Sequence, residues 1–349
     1  MRKTFLKIGA VAALLAASCG PGSEEMGGPF EFAETIQLTC DSLPIGEILI
    51  PAEWEICGDK AVISSPRTDS LFYVYRLPDF EYLYAFGRKG EGPYDYRSAT
   101  LMADVHHTGR LWTGDLGKAI SYQLSDGGAE DAARQKTAGM RPDAILHDSI
   151  TVSFTRRFSA QGMHFYCNTG HIDGKKGFSD TLTALLHTAS VKVSVQSNGA
   201  FLDGKAYNMP SEAYLKDGFV WVYPDVRSIR FYTVSPQGRI TQEKIIGSDL
   251  NLEQINALPE SEMMAKSGFT IFGIQTTDRH LYVFTGEKNP ESGAFESYAE
   301  VYDLSGRKVR RLAFGRYLSA FLADETRGKI YAYDRGKDFD QVYVYDMKL

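Results

Sequence analysis

Three aspartates, Asp115, Asp225 and Asp334, each follow a segment of similar make-up: RLWTGD, FVWVYPD and KIYAYD. Carboxylates delivered from separate segments to one point suit a hard divalent cation such as calcium, which takes about six to eight oxygen ligands. An aspartate at a strand end has a second use, capping the turn that follows with its own carboxylate. Charged residues recur beside comparable segments: Arg67 and Asp69, Arg88 and Lys89, Lys118 near Asp115, Arg156 and Arg157, Arg227 near Asp225, Glu287 and Lys288, and Arg335, Lys337 and Asp338. If those segments converge, Arg67, Arg88, Lys89, Asp115, Arg157, Asp225, Arg227, Asp334 and Arg335 form a binding rim. Mixed charge of this kind suits an anionic or hydroxyl-rich ligand.

Other chemistries lack their residues. The stretch FGRKGEGPYDY, residues 86–96, has glycines and basic residues in phosphate-loop style. A phosphate loop, however, needs a Lys-Ser/Thr pair opening a helix, and here Gly92 is followed by Pro93-Tyr94. The histidines are His106, His107, His147, His164, His171, His187 and His280, with no pair at ligand spacing beside a carboxylate, so they support no transition-metal site. Gly-x-Ser-x-Gly is absent, and no catalytic residue is assigned.

The elements that must hold the rim are short strands. The chain has 20 Tyr, 20 Phe and 33 Gly, a composition of strands and turns. One strand type occurs six times, in KAVISS, RLWTGD, SITVSF, FVWVYP, HLYVFT and KIYAYD. A second follows each: SLFYVYRL, AISYQLS, HFYCNTG, IRFYTVS, YAEVYDLS and QVYVYDMK. A third precedes each: WEIC, TLMADV, DAIL, SEAYL, FTIFGI and LSAFLA. Hairpins in YRLPDFEYLYAFG and YDLSGRKVRRLAFG supply a fourth strand. The unit is a four-stranded antiparallel meander of about fifty residues, the size of a propeller blade.

The expected fold is therefore all-β, a six-bladed β-propeller over residues 29–349. The last unit runs out after its third strand, so FEFAETIQL, residues 30–38, is expected to complete that blade and close the ring. Two longer intervals are expected to hold an extra hairpin in VKVSVQSNGAFLDGKAYNM and a short helix in SDLNLEQINALPESEMMAKS, with an Asp or Ser cap. In this fold FGRKGEGPYDY is the crossing from an outer strand to the next inner strand, on the same face as the loops between second and third strands.

The N-terminus gives the address. Met1-Arg2-Lys3 and Lys7 flank IGAVAALLAA, which is too short to span a bilayer and reads as a secretory signal over residues 1–18. LLAASC resembles the lipobox of bacterial lipoproteins, with Cys19 as the lipidated first mature residue, although Ala16 stands where leucine is usual. Residues 19–28 then form the lipidated cysteine and a flexible tether. Losing Arg2, Lys3 and Lys7 takes the formal charge from −6 to −9, which argues against nucleic acid. Of the remaining cysteines, Cys40 and Cys57 could pair as a disulfide or stay as free thiols, with Cys167 the third.

The six units, the FGRKGEGP turn and the lipobox together resemble the TolB-like six-bladed β-propeller lipoproteins of Bacteroidota. In that family the turn reads Phe-Gly-x-x-Gly-x-Gly-Pro-Gly-Glu, and this chain has Tyr94-Asp95 in place of Gly-Glu. The short SEE after Cys19 resembles their surface-targeting signals. The resemblance itself implies little about activity. The lipobox, the six units and the absence of catalytic constellations together point to an outer-membrane lipoprotein, facing the periplasm or the cell surface, that binds a glycan, a peptide or an envelope protein without cofactor or catalysis. The alternative is a calcium-dependent propeller hydrolase or lyase, lactonase-like, with Asp115, Asp225 and Asp334 at the pore.

Overall fold

Valine, isoleucine, phenylalanine and tyrosine alternate through most of the chain, and such side chains pack on a pleated surface. The computed structural model describes residues 28–47, 51–92, 94–102, 110–115, 118–126, 144–147, 155–160, 163–168, 181–186, 189–194, 200–202, 205–207, 210–235, 239–251, 254–255, 257–262, 269–289, 292–334, 336–337 and 340–347. For 102, 118–119, 260 and the strands between 144 and 207, the backbone alone is described. The chain divides into two units, Met1–Glu31 and Phe32–Leu349. In the first, the Gly28 amide donates to Glu31 Oε2 at 2.9 Å. Among the described residues no helix is long and apolar enough to cross a membrane.

In the second unit, β1 (Thr35–Gln37) and β2 (Cys40–Pro44) precede a succession of sheets. The first sheet is β3 (Trp54–Cys57), β4 (Lys60–Ser64), β5 (Ser70–Arg76) and β6 (Glu81–Arg88). The second is β7 (Thr100–Met102), β8 (Arg110–Asp115), β9 (Lys118–Gln123) and β10 (Ala144–His147). The third is β11 (Thr155–Ala160), β12 (Met163–Asn168), β13 (Thr181–Leu186) and β14 (Ala189–Ser194), followed by the hairpin β15 (Ala200–Leu202) and β16 (Lys205–Tyr207). The fourth is β17 (Ser211–Leu215), β18 (Gly218–Tyr223), β19 (Ser228–Val234) and β20 (Ile240–Gly247). The fifth is β21 (Phe269–Thr276), β22 (His280–Lys288), β23 (Phe295–Asp303) and β24 (Lys308–Ala313). Last come β25 (Ala320–Asp324), β26 (Lys329–Tyr333) and β27 (Gln341–Asp346).

Within each sheet the consecutive strands form an antiparallel meander, and the first strands lie against one another in the order β17, β21, β25, β3, β7, β11. This is an all-β propeller; among the described residues it has five four-stranded sheets, a five-stranded one and the β15–β16 hairpin.

The period of two splits each strand between two cores. On the first sheet, Ala61, Ile63, Tyr73 and Tyr75 pack with Leu322, Tyr331, Tyr333 and Val342 of the last sheet. Their neighbours Val62, Phe72 and Val74 pack with Leu111, Ile120 and Tyr122 of the second. Rings make many of the contacts, such as Phe80 on Tyr331 at 4.8 Å and Phe314 on Tyr345 at 4.8 Å.

The outer hairpins repeat one irregularity. A bulge falls between Val74 and Tyr75, between Phe231 and Tyr232, and between Val301 and Tyr302. The extra residue increases the local twist. At or just past the end of the fourth strand, Gly87, Gly247 and Gly315 have φ of +77°, +84° and +66°, a region that favours glycine.

Several expectations are corrected. The strand completing the last sheet is β2, antiparallel to β27 from Cys40↔Tyr345 to Pro44↔Gln341, and not FEFAETIQL. As an outer strand it tolerates Pro44, which has no N–H to pair. The Thr35–Gln37 part of FEFAETIQL instead runs parallel to β24, as the fifth strand of the fifth sheet. DAIL does not open the third sheet: its last three residues, with His147, form β10, which pairs with β9 as the outermost strand of the second. HFYCN is consequently the second strand of the third sheet, paired with β11, and SITVSF lies outside the described residues. VKVS belongs to β14, leaving the extra hairpin to β15 and β16.

Near residue 251 the chain makes a helical turn whose cap is Asn251, and not Asp or Ser. The Asn251 and Gln254 side chains each accept the other's backbone N–H at 2.9 Å, a capping box, and Ile255 is buried beneath it. Cys40 and Cys57 are free thiols.

The β23–β24 turn carries a stability switch. Asp303 accepts from Ser305 N and Oγ at 2.9 and 2.7 Å, from Arg307 N at 2.9 Å and from Arg307 Nε at 2.6 Å. Burial opposes its ionisation, but these bonds outweigh it and hold the carboxyl at about 2, below its ordinary 3.8. The folded value is depressed, so this stabilisation is present above the unfolded value and is lost as pH falls from 3.8 towards about 2. Asp303→Ala should therefore cost about 1–2 kcal/mol at neutral pH, and urea unfolding should show the gap to wild type closing across that acid range. A gap independent of pH would refute the assignment.

Candidate functional site

The crossings and the loops between second and third strands do share a face. Lys89 Nζ, in the β6–β7 crossing, donates to the Pro66 carbonyl in the β4–β5 turn. Asp115, at the end of β8, accepts from the Arg97 and Ser98 amides of that crossing at 2.9 and 2.7 Å. On the other side of the ring, Arg227 of the β18–β19 turn lies 3.8 Å from Glu287 at the end of β22.

The glycine-rich crossing folds around Asp95. Its carboxylate takes Arg88 Nε at 3.1 Å and Nη2 at 3.2 Å, and the Gly92 amide at 3.1 Å. A Cβ on Gly90 or Gly92 would stand 2.3 or 2.8 Å from Asp95 Oδ2. Close approach therefore explains these glycines, while positive φ explains Gly87. Beneath the loop the buried Tyr96 hydroxyl bonds to those of Thr113 at 2.8 Å and Tyr122 at 2.6 Å.

The rim residues fall into different roles. Arg67 is exposed. Arg88 clasps its own loop through Asp95, and Lys89 ties that loop to the β4–β5 turn. Asp115 and Asp334 are buried, and Asp334 accepts the Gly336 amide at 2.8 Å, so both serve loop backbone. Asp225 is half-buried in its turn. Among the described residues no three His, Cys, Asp or Glu side chains are grouped to hold a metal ion, and Asp115, Asp225 and Asp334 form no such group. Arg157 sits on β11, where the backbone alone is described; Cys19, Arg335 and Asp338 lie outside the described residues.

Arg227 belongs to a network that the sequence reading missed. It is held at φ 42°, its guanidinium lies 4.4 Å over the Phe269 ring, and Nη2 bonds to Glu300 Oε1. Glu300 on β23 is 1% exposed, and its Oε2 accepts the Tyr302 hydroxyl at 2.9 Å. Burial pushes the Glu300 carboxyl up, against Arg227 and Tyr302, which favour its charge. Arg311 of β24 reaches Glu287 Oε2 at 2.7 Å and covers the Tyr298 ring at 3.8 Å. The network joins the fourth and fifth sheets. Its one signal in sequence is a charged residue inside an apolar run, Ala299-Glu300-Val301.

The centre of the ring holds a cavity of about 350 Å³ between the first strands. Its walls are chemically sided. Phe272 on β21, Phe284 on β22 and Phe321 on β25 supply rings, Phe284 and Phe321 being stacked at 4.4 Å. Glu53 and Glu55 flank Trp54 on one side, and Glu212 on β17 stands on another. Glu53 accepts the Leu101 amide at 2.6 Å and Glu212 the Tyr214 hydroxyl at 2.8 Å. Gln275 clamps the wall, its amide donating to the Ala323 carbonyl at 2.9 Å and accepting the Ala323 N–H at 2.7 Å.

Glu55, Gln275 and Thr276 also border a second cavity of about 600 Å³ at the turns between first and second strands. There Arg327 spans from Asp324, at 2.7 Å, to the Gly58 carbonyl at 3.3 Å. Beside it Glu325 takes His280 Nδ1, Tyr282 Oη at 2.7 Å and Arg279 Nε at 3.1 Å. Burial disfavours the Glu325 charge, but the bonds from His280 and Tyr282 outweigh it and hold the carboxyl below its usual range.

No family model and no curated protein matches the chain. Among solved structures it is similar to Raptor from Chaetomium thermophilum, with a TM-score of 0.49 and 9% identity over 89% of this chain and 29% of that one. It is also similar to a gluconolactonase from Xanthomonas campestris, with a TM-score of 0.47 and 8% identity over 88% and 89% of the two chains. A protein from Lactobacillus plantarum has a TM-score of 0.44 and 10% identity, over 82% and 78%. The chain spans less than a third of the Raptor chain's length.

Proposed function

We propose that the chain is a lipid-anchored, six-bladed propeller of the TolB-like kind that acts at the outer membrane as a non-catalytic binding or scaffolding module. Six sheets of four or more strands, with first strands neighbouring one another in turn, support the blade count. The signal-like N-terminus and LLAASC support the anchor.

The central cavity with its sided walls carries the binding reading. Against the hydrolase alternative stands the use of Asp115 and Asp334 as acceptors for loop amides, with neither lining the central cavity. The ligand or partner is a glycan, a peptide or an envelope protein.

Two measurements test this reading. In cells, Cys19→Ala should move the protein from the membrane fraction to the soluble one, and continued sedimentation with membranes refutes the anchor. With added calcium, the purified protein should hydrolyse sugar lactones no faster than buffer does; turnover above that rate refutes the non-catalytic assignment.

A further inference from the structure

We infer that the central cavity binds a pyranose ring, either a free sugar or the end unit of an oligosaccharide. This deepens the reading above and rests on the cavity being the ligand site.

A pyranose is two-sided, with patches of C–H on its ring faces and hydroxyls around its edge. The cavity is two-sided in the same sense. Its aromatic side comes from the fifth and last sheets, where the half-buried Phe272 and Phe321 line the space and Phe284 backs Phe321 at 4.4 Å with the rings 4° from parallel. Ring faces of this kind take C–H surface. The acidic side comes from the first and fourth sheets, where Glu53, Glu55 and Glu212 are half-buried and open to the cavity. Carboxylates accept hydroxyl protons in short, charge-assisted bonds.

Size agrees as well, since about 350 Å³ lies at the lower end of the range for small-molecule sites, roughly 300–1,000 Å³. It suits one or two sugar rings and excludes the body of a polymer.

The aromatic side continues outward to the rim. Phe272 meets Tyr317 edge-on at 5.4 Å, and Tyr317 meets Phe295 at 6.0 Å. Tyr317 is 37% exposed, one of three large hydrophobic side chains among the described residues that reach the surface. Gly286 makes room for this run, because a Cβ there would lie 2.6 Å from both Phe272 and Phe295. An aromatic path leading from solvent into the cavity would let the unit next to a bound end ring stack on Tyr317.

The test is calorimetric titration of the chain from Gly20 with glucose, galactose, mannose, N-acetylglucosamine and maltotetraose, and with putrescine and benzoate as unlike probes. At least one sugar should bind. Phe272→Leu, which keeps bulk and loses the ring face, should weaken it at least tenfold, as should Glu212→Gln. Tyr94→Ala, an exposed tyrosine away from the cavity, should leave affinity unchanged. Tyr317→Ala should weaken maltotetraose more than the monosaccharides if the ligand is a chain end, and neither if it is a free sugar.

Sugar binding untouched by both Phe272→Leu and Glu212→Gln overturns the inference. So does binding of putrescine or benzoate alone; if that binding is lost in Phe272→Leu, the cavity stands as a ligand site and only the sugar assignment falls. If no probe binds, both the inference and the cavity's role fall.

Discussion

Glu300→Ala should cost about 3 kcal/mol of stability, the low end of what breaking a buried ion pair costs. The carboxylate is 1% exposed and Arg227 is four-fifths buried opposite it, so truncation leaves a desolvated guanidinium facing a void. Stacking on Phe269 and the longer contact to Glu287 soften the loss. Glu300→Gln keeps the shape and an acceptor, and should cost about half as much. Replacing both partners, Arg227→Met with Glu300→Leu, should recover most of the loss, because neither charge is then stranded. Denaturant midpoints of wild type, Arg227→Met, Glu300→Leu and the double variant close a double-mutant cycle. A loss below about 1 kcal/mol in Glu300→Ala would show that this ion pair does little to join the fourth and fifth sheets.

A chain beginning at Gly46 should show no cooperative unfolding transition, whereas one beginning at Gly28 should melt sharply. The shorter chain loses β2 and its five paired residues on β27, and also β1, whose removal uncovers β24. It also loses Leu38 and Ile45, which are 6% and 1% exposed in two different inter-sheet cores. Each such aliphatic side chain is worth about 2–5 kcal/mol, and a whole domain has about 5–15 kcal/mol in hand. If calorimetry finds the two chains melting within a few degrees of each other, the N-terminal strands do not close the ring.

Much of this architecture was legible because its code is local. Segments such as KAVIS, FVWVY and KIYAY alternate between two cores and so carry their period in their own residues. The outer hairpins were equally readable, since YRLPDFEYLYAFG and YDLSGRKVRRLAFG contain both strands and their turn. What failed was pairing decided by backbone at a sheet edge. CDSLP has weak strand propensity and a proline, and only the open edge of β27 makes it a strand. DAIL reads as a strand correctly, yet nothing in four apolar residues says which sheet it joins.

The candidate site divides the same way. The face of the charged rim followed from topology. The destination of each carboxylate did not: Asp334 takes the amide of Gly336, two residues on, but Asp115 is set by the Arg97 and Ser98 amides, 18 and 17 residues back in sequence. Glu300 and Arg227 stand 73 residues apart and meet only when two sheets pack.

The paired N-terminal strands also order events in time. Gln37 donates to the Ala313 carbonyl at 3.2 Å across 276 residues of sequence. Residues 35–44 are made before any of the six sheets, and their partners β24 and β27 belong to the last two. Bringing such distant segments together carries the largest loop-closure cost in the fold, and topologies dominated by distant pairings assemble slowly. Each sheet can form its own hairpins as it emerges, but the circle cannot close until β27 has been made. A chain cut short before β27 has no seat for β2 and presents an open edge. That edge distinguishes unfinished molecules from finished ones, and it keeps the growing chain loose until its last strand arrives.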